Sequence, residues 1–147
     1  MVRFSTLNLI KFTFNGIFCY MNISKTLQSN SFSHRFYVEY ALTIAKHLNS
    51  LEKSPNAKAI AAINTVELWL LGKATAEECK VAAYAAHSDN AAAYAAYTAY
   101  DASYAASASY AASASYADLQ YASKLLVEMI NEMPELDRLI LNIKIYD

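Results

Sequence analysis

Three histidines, His34, His47 and His87, and two cysteines, Cys19 and Cys79, are the side chains of this 147-residue chain best suited to metal ligation or nucleophilic attack. The closest pair in sequence is Cys79 and His87. On one helix, eight residues place them within about 80° of each other but about 12 Å apart along the axis, too far for two direct ligands of one zinc ion. Neither cysteine lies in a CxxC or zinc-type spacing, so the default is two reduced thiols in a cytosolic protein, with no metal site and no disulfide. His87 and Asp89, with a nearby serine, have the residue types of a hydrolytic site. A histidine close to a helix C-terminus is also explained by electrostatics alone. Glu77 and Glu78 are adjacent carboxylates, but they belong to Thr75-Ala76-Glu77-Glu78, a capping box that already accounts for them. Gly16 and Gly72 are the chain's two glycines. A Gly-x-Ser-x-Gly elbow and a phosphate-cradling loop are therefore both absent, and the sequence predicts neither an enzyme nor a bound cofactor.

Tyrosine is the residue type left with a functional reading. Residues 82–117 contain 18 Ala, 7 Tyr and 6 Ser, with no Gly, Pro, Leu, Ile, Val, Phe, Lys or Arg. Ala is the strongest helix former and both strong breakers are missing, so this block is expected to be helical. Ser-Tyr-Ala-Ala-Ser-Ala occurs at 103–108 and 109–114, decaying to Ser-Tyr-Ala-Asp at 115–118. A six-residue step turns a helix by 600°, which spreads Tyr104, Tyr110 and Tyr116 about 120° apart. Rings on every side imply either a central helix packed all round or several short helices using different faces. The rings are expected to fill the space that Ala leaves in the core, with some contributing to a binding surface. Tyr combines large area, low entropy cost and a hydroxyl, and this marks Tyr94, Tyr97, Tyr100, Tyr104 and Tyr110 as the candidate partner-binding residues. A hexapeptide β-solenoid is disfavoured, since the block lacks one aliphatic residue per repeat.

Helices before and after the block are legible from caps and periodicity. Ser33 to Lys53 reads as an amphipathic helix capped by Ser33, with Phe36, Tyr40, Ile44, Leu48 and Leu51 inward. Ser54-Pro55 predicts the start of a second helix over 55–71, carrying Ile60, Ile63, Val66, Trp69 and Leu70 and stopped by Gly72. Trp69 reads as a core anchor. Breaks in the long stretch 75–131 are expected at Ser88-Asp89-Asn90, Asp101 to Ser103 and Ser115 to Asp118, where side chains compete for backbone hydrogen bonds. Pro134 is expected to open a last helix from Glu135 to about Ile143, after the apolar Leu125, Leu126, Met129 and Ile130.

The run Val66-Glu67-Leu68-Trp69-Leu70-Leu71-Gly72-Lys73-Ala74-Thr75-Ala76-Glu77-Glu78-Cys79-Lys80, continuing into Ala-Ala-Tyr-Ala-Ala-His, resembles a family of Ala-rich immunity proteins found in bacteria near polymorphic toxin systems, and similar Ala/Tyr-rich bacteriophage proteins. The resemblance spans roughly residues 57–122. It implies an all-α protein that neutralises a toxin or host effector by binding it, without catalysis.

Net charge is −1, and residues 1–53 hold six Lys/Arg against Glu39 and Glu52, whereas 118–147 holds six acids against Lys124, Arg138 and Lys144. With no cations clustered on the Ala/Tyr block, nucleic acid is not an expected partner. Leu7 to Tyr20 is apolar but too short to span a bilayer and is interrupted by Lys11, Asn15 and Gly16, so no membrane is expected either. Met21 could start translation, which makes 1–20 an extension and 21–147 a single all-α domain with the Ala/Tyr block at 82–117. The expected architecture is an antiparallel bundle or stacked hairpins of five to seven helices around an Ala/Tyr-rich core. The expected function is a cytoplasmic, non-enzymatic protein-binding module; the alternative is a self-assembling structural helical protein, a homo-oligomer stacking its Ala/Tyr faces.

Overall fold

The computed structural model describes residues 2–3, 21–86, 90–101, 103–114 and 119–146. Among them are helices α1 (Ile23–Ser29), α2 (His34–Ser50), α3 (Ala57–Leu70), α4 (Ala76–Ala85), α5 (Asn90–Tyr100), α6 (Tyr104–Ala114), α7 (Leu119–Glu132) and α8 (Glu135–Leu141). Two-residue strands β1 (Val2–Arg3) and β2 (Lys144–Ile145) pair antiparallel, Val2 opposite Ile145 and Arg3 opposite Lys144. The fold is all-α, as expected, with eight helices among the described residues rather than the five to seven expected. The reading of 1–20 as a separate extension concerns mostly residues 4–20, which lie outside the described residues.

Local chemistry sets the helix ends. The Ser33 hydroxyl accepts from Phe36 N–H at 3.1 Å, and the Thr75/Glu78 capping box forms with both bonds, 3.1 Å from Glu78 N to Thr75 Oγ1 and 2.7 Å from Thr75 N to Glu78 Oε2. Gly72, at φ +73°, ends α3 in a left-handed turn. Its N–H donates to Trp69 O at 3.0 Å while Lys73 N–H donates to Leu68 O at 2.8 Å, so the last carbonyls of α3 are satisfied by a Schellman motif. Of the expected breaks in 75–131, that at Asp101 to Ser103 separates α5 from α6, and α4 ends at Ala85, ahead of the first; Ser88-Asp89 and Ser115 to Asp118 lie outside the described residues. Two boundaries differ from expectation. The cap of α3 is Asn56, whose side chain accepts from Lys58 and Ala59 N–H, rather than Ser54 with Pro55 at the first helical position. An Asn directly before an Ala-rich turn supplies the same acceptor two residues later. Helix α2 stops at Ser50, and of the residues expected inward, Leu51 is exposed because it caps that end, while Ile60 is exposed because it falls about 100° from the face of α3 that buries Ala59, Ala62, Ile63 and Val66.

Helix α5 is the centre of the packing. It touches α2, α3, α4 and α6, while α6 also packs on α1 and α2, and α7 rests on α1, α2 and α6. Ala91, Ala92, Ala93, Ala95, Ala96 and Ala99 are all buried, so α5 meets neighbours around most of its circumference. Methyl side chains let helix axes approach closely. The bulk that fills the spaces comes from other helices: Leu27 of α1, Tyr37, Val38, Tyr40 and Ile44 of α2, Val66 of α3, and Leu126, Val127 and Ile130 of α7. This corrects the expectation that the block's own tyrosines form the core. Tyr94, Tyr97, Tyr100 and Tyr104 pack only partly buried against it, and Tyr84 and Tyr110 are exposed. A ring on α5 long enough to reach inward would push apart helices that the alanines bring together.

Helix α1 was not foreseen, and it anchors the C-terminal segment. Asn22, Thr26 and Asn30 recur every fourth residue, one stripe of a helix. Asn22 N–H donates to Tyr146 O at 2.8 Å, Thr26 Oγ1 accepts from Tyr146 N–H at 3.1 Å, and the Asn30 amide holds both backbone groups of Lys144, at 2.9 Å and 2.6 Å. The polar stripe thus substitutes for a neighbouring strand and seats Ile143 and Ile145 in the core.

Two fold predictions follow from this packing. Ala96→Leu should destabilise the protein by about 1–3 kcal/mol through overpacking at the fully buried face of α5. Tyr40→Phe, which removes a buried 2.9 Å hydrogen bond to Ala122 O, should cost about 0.5–1.5 kcal/mol, since that carbonyl lies within α7 and keeps its helical partner. Urea denaturation followed by circular dichroism measures both, and an unchanged midpoint in the first would contradict the central role of α5.

Candidate functional site

The tyrosines excluded from the core gather on the outside. Tyr94, Tyr97 and Tyr100 stand at i, i+3 and i+6 on α5, a spacing that keeps successive rings on neighbouring positions of one face. Their centroids lie 6.2 Å apart for Tyr94–Tyr97 and 5.6 Å for Tyr97–Tyr100. Helix α6 adds Tyr110, 5.4 Å from Tyr94, and α4 adds Tyr84, 6.0 Å from Tyr97 in an edge-on arrangement. Five rings from three helices therefore form one contiguous array. Its outer members are the most open: Tyr84 is 55 % and Tyr110 56 % exposed.

Four of the five sequence-derived candidates, Tyr94, Tyr97, Tyr100 and Tyr110, meet in this array. Tyr104 does not belong to it. Its ring stacks on His34 at 4.4 Å and tilts against Tyr37 at 5.3 Å, and Trp69 lies 5.1 Å from His34 on α2. The His34 Nε2 is 2.7 Å from Thr98 O, and since a carbonyl only accepts, that nitrogen carries the proton. This second aromatic group fastens the start of α2 to α5 and explains both His34 and Trp69 as structural. Tyr84 was missed in the sequence, because it sits ahead of the regular repeat and reaches the array only when α4 packs on α5. Its signal was local: Val81, Tyr84 and Ala85 share a face at i, i+3 and i+4.

That face continues into a cleft of about 410 Å³ between α3 and α4, whose walls include Thr65, Leu68, Val81 and Ala85, with Lys73 and Glu77 at its edge. Val81 and Leu68 are exposed there, and the Lys80 ammonium stands 6.0 Å from the Tyr84 ring centre. The surface is thus aromatic and aliphatic, with sparse charge of both signs.

Partial burial, reinforced by a hydrogen bond with the Tyr84 hydroxyl, pushes the Tyr100 phenol up to about 12. Burial likewise pushes Tyr37 up to about 12 and raises Tyr40 further. Cys79 is buried, and burial together with the Glu78 carboxylate pushes its thiol up to about 11, leaving it a poor nucleophile and a poor metal ligand. His47 stacks on Tyr121 at 3.7 Å. Among the described residues no group of three His, Cys, Asp or Glu is placed to hold a metal ion. Cys19 and the His87/Asp89 pair lie outside the described residues. Among those described, no helix is long and apolar enough to cross a membrane.

Compared with protein-family models, with curated proteins and with solved structures, the chain matches none.

The raised phenols predict alkaline instability. Folded Tyr37 and Tyr100 hold their protons to about pH 12, whereas in the unfolded chain they release them at the ordinary 10.0, so their contribution is fully present below pH 10 and lost as pH rises to 12. The melting temperature should fall steeply across that window, less steeply in Tyr100→Phe. A level melting temperature up to pH 12 would contradict the assignment.

Proposed function

We propose that the chain is a non-enzymatic binding protein that engages a protein partner through the surface formed by Tyr84, Tyr94, Tyr97, Tyr100 and Tyr110. The observation that carries this reading is the five-ring array on three helices, with its outer rings more than half exposed. Rings serving only to fill the core would be buried, and rings serving only solubility would not be gathered. Tyrosine supplies a wide contact area with two torsions to fix and a hydroxyl that can hydrogen-bond across an interface. The adjoining cleft between α3 and α4 would take an apolar side chain of the partner, giving the buried centre around which hot-spot residues cluster. Steric occlusion of a toxin or host effector in the cytoplasm is the form of this function that the resemblance at Val66 to Lys80 implies.

Affinity co-purification from the native cells, with a Tyr84→Ser/Tyr97→Ser/Tyr110→Ser variant alongside, tests the reading. The wild type should retain one stoichiometric protein. The variant should stay helical yet bind at least about thirtyfold more weakly, as loss of ~2 kcal/mol from a hot spot requires. Equal retention by both proteins would refute the surface. Light scattering that grows with concentration, and collapses in the variant, would instead favour the self-assembling structural reading.

A further inference from the structure

Helix α8 buries none of its residues. Leu136, Leu139 and Ile140 are 65 %, 67 % and 69 % exposed, and their i, i+3, i+4 spacing makes them one apolar ridge. At 100° per residue, Glu135 and Asp137 fall about 100° to either side of that ridge, so both its borders are acidic. The helix's one cation, Arg138, is on the opposite, inward side, and its Nε is buried. Beside the ridge lies a cleft of about 360 Å³ with Phe36, Met133, Ile140 and Leu141 in its walls and Glu39 and Asp137 among its polar groups. The Arg35 guanidinium at this cleft is already engaged, with Glu39 at 2.9 Å and Leu70 O at 3.0 Å.

These charges select the occupant. A second copy of α8 would bring carboxylates against carboxylates whichever way it ran, since both borders are acidic, and like charges across an interface are costly. An anionic bilayer is disfavoured for the same reason, because interfacial helices carry Lys and Arg beside their apolar face. We propose that the α8 ridge and its cleft dock a basic amphipathic helix of another protein, with the partner's apolar stripe on Leu136, Leu139 and Ile140 and its Lys or Arg residues against Glu135 and Asp137. One apolar side chain of that helix enters the cleft beside Phe36 and Met133. This is a helix-in-groove mode, and its surface shares no residue with the tyrosine array.

Fluorescence anisotropy with three labelled peptides tests it: an amphipathic Leu/Lys helix, its Leu/Glu counterpart, and a Leu/Lys peptide scrambled to destroy the apolar stripe. The Leu/Lys helix should bind the wild-type protein, at least about tenfold more weakly to Glu135→Gln/Asp137→Asn, and not measurably to Leu136→Ser/Leu139→Ser/Ile140→Ser, whose melting temperature should be unchanged because the replaced side chains are exposed. The Tyr84→Ser/Tyr97→Ser/Tyr110→Ser variant should bind it as the wild type does, which separates this surface from the array. Equal binding of the Leu/Glu helix or the scrambled peptide would overturn the proposal. So would a wild-type dimer that the ridge substitutions dissolve, since the occupant would then be a second copy.

Discussion

Close contact between alanine-lined helices is the constraint on which the rest of this structure depends. Helix α5 packs against four neighbours, and it can do so because its inward positions carry methyl groups rather than longer side chains. Each methyl brings little apolar area of its own. What it permits is dense contact of the α5 backbone with α2, α3, α4 and α6, and interiors at crystalline density collect many weak dispersion contacts. The larger hydrophobes then occupy the layers outside this centre, on α1, α2 and α7.

The tyrosine array is a consequence of the same constraint. A helix surrounded by close neighbours has little circumference on which a ring can lie, and Tyr94, Tyr97 and Tyr100 occupy it together. Tyr84 and Tyr110 meet them because α4 and α6 flank α5. Two tyrosines of α2 show the contrasting case. Tyr37 and Tyr40 are buried, and each hydroxyl finds a backbone carbonyl: Leu27 and Asn30 for Tyr37, at 2.6 Å and 2.8 Å, and Ala122 for Tyr40. Burial of a tyrosine is tolerated where its hydroxyl has an acceptor, and elsewhere the hydroxyl stays at the solvent edge.

Polar groups are used sparingly and mostly to fasten ends. Exposed ion pairs such as Arg35–Glu39 and Lys46–Glu67 contribute little to stability. More is done by Asn30, Thr26 and Asn22, which bind the backbone of the last residues, and by His34, which joins the first turn of α2 to the end of α5. The Asn22, Thr26 and Asn30 contacts hold β2, which follows α8 in the chain, against α1. The molecule thus presents two unlike faces: a tyrosine surface low in charge, and a short aliphatic ridge bordered by carboxylates.

Helix type and the principal breaks were legible in the sequence because they depend on local chemistry: alanine propensity, the Ser33 cap, the Thr75/Glu78 box, the Gly72 stop and Pro134. Of the five tyrosines expected from residue type to form a binding surface, four converge in one array. Short-range signals misled where two neighbouring residues could cap equally well, as with Ser54 and Asn56, and they missed α1, whose seven residues are too few to show a period. Tertiary packing alone decided which alanines are central, that Tyr104 turns toward His34 while Tyr84 joins the array, and that the isoleucine-rich tail is tied to α1. The physical reason is that an Ala/Tyr helix has no single apolar stripe. Its sequence specifies that it will be a helix, but the orientation of its faces is set only by the neighbours that pack around it.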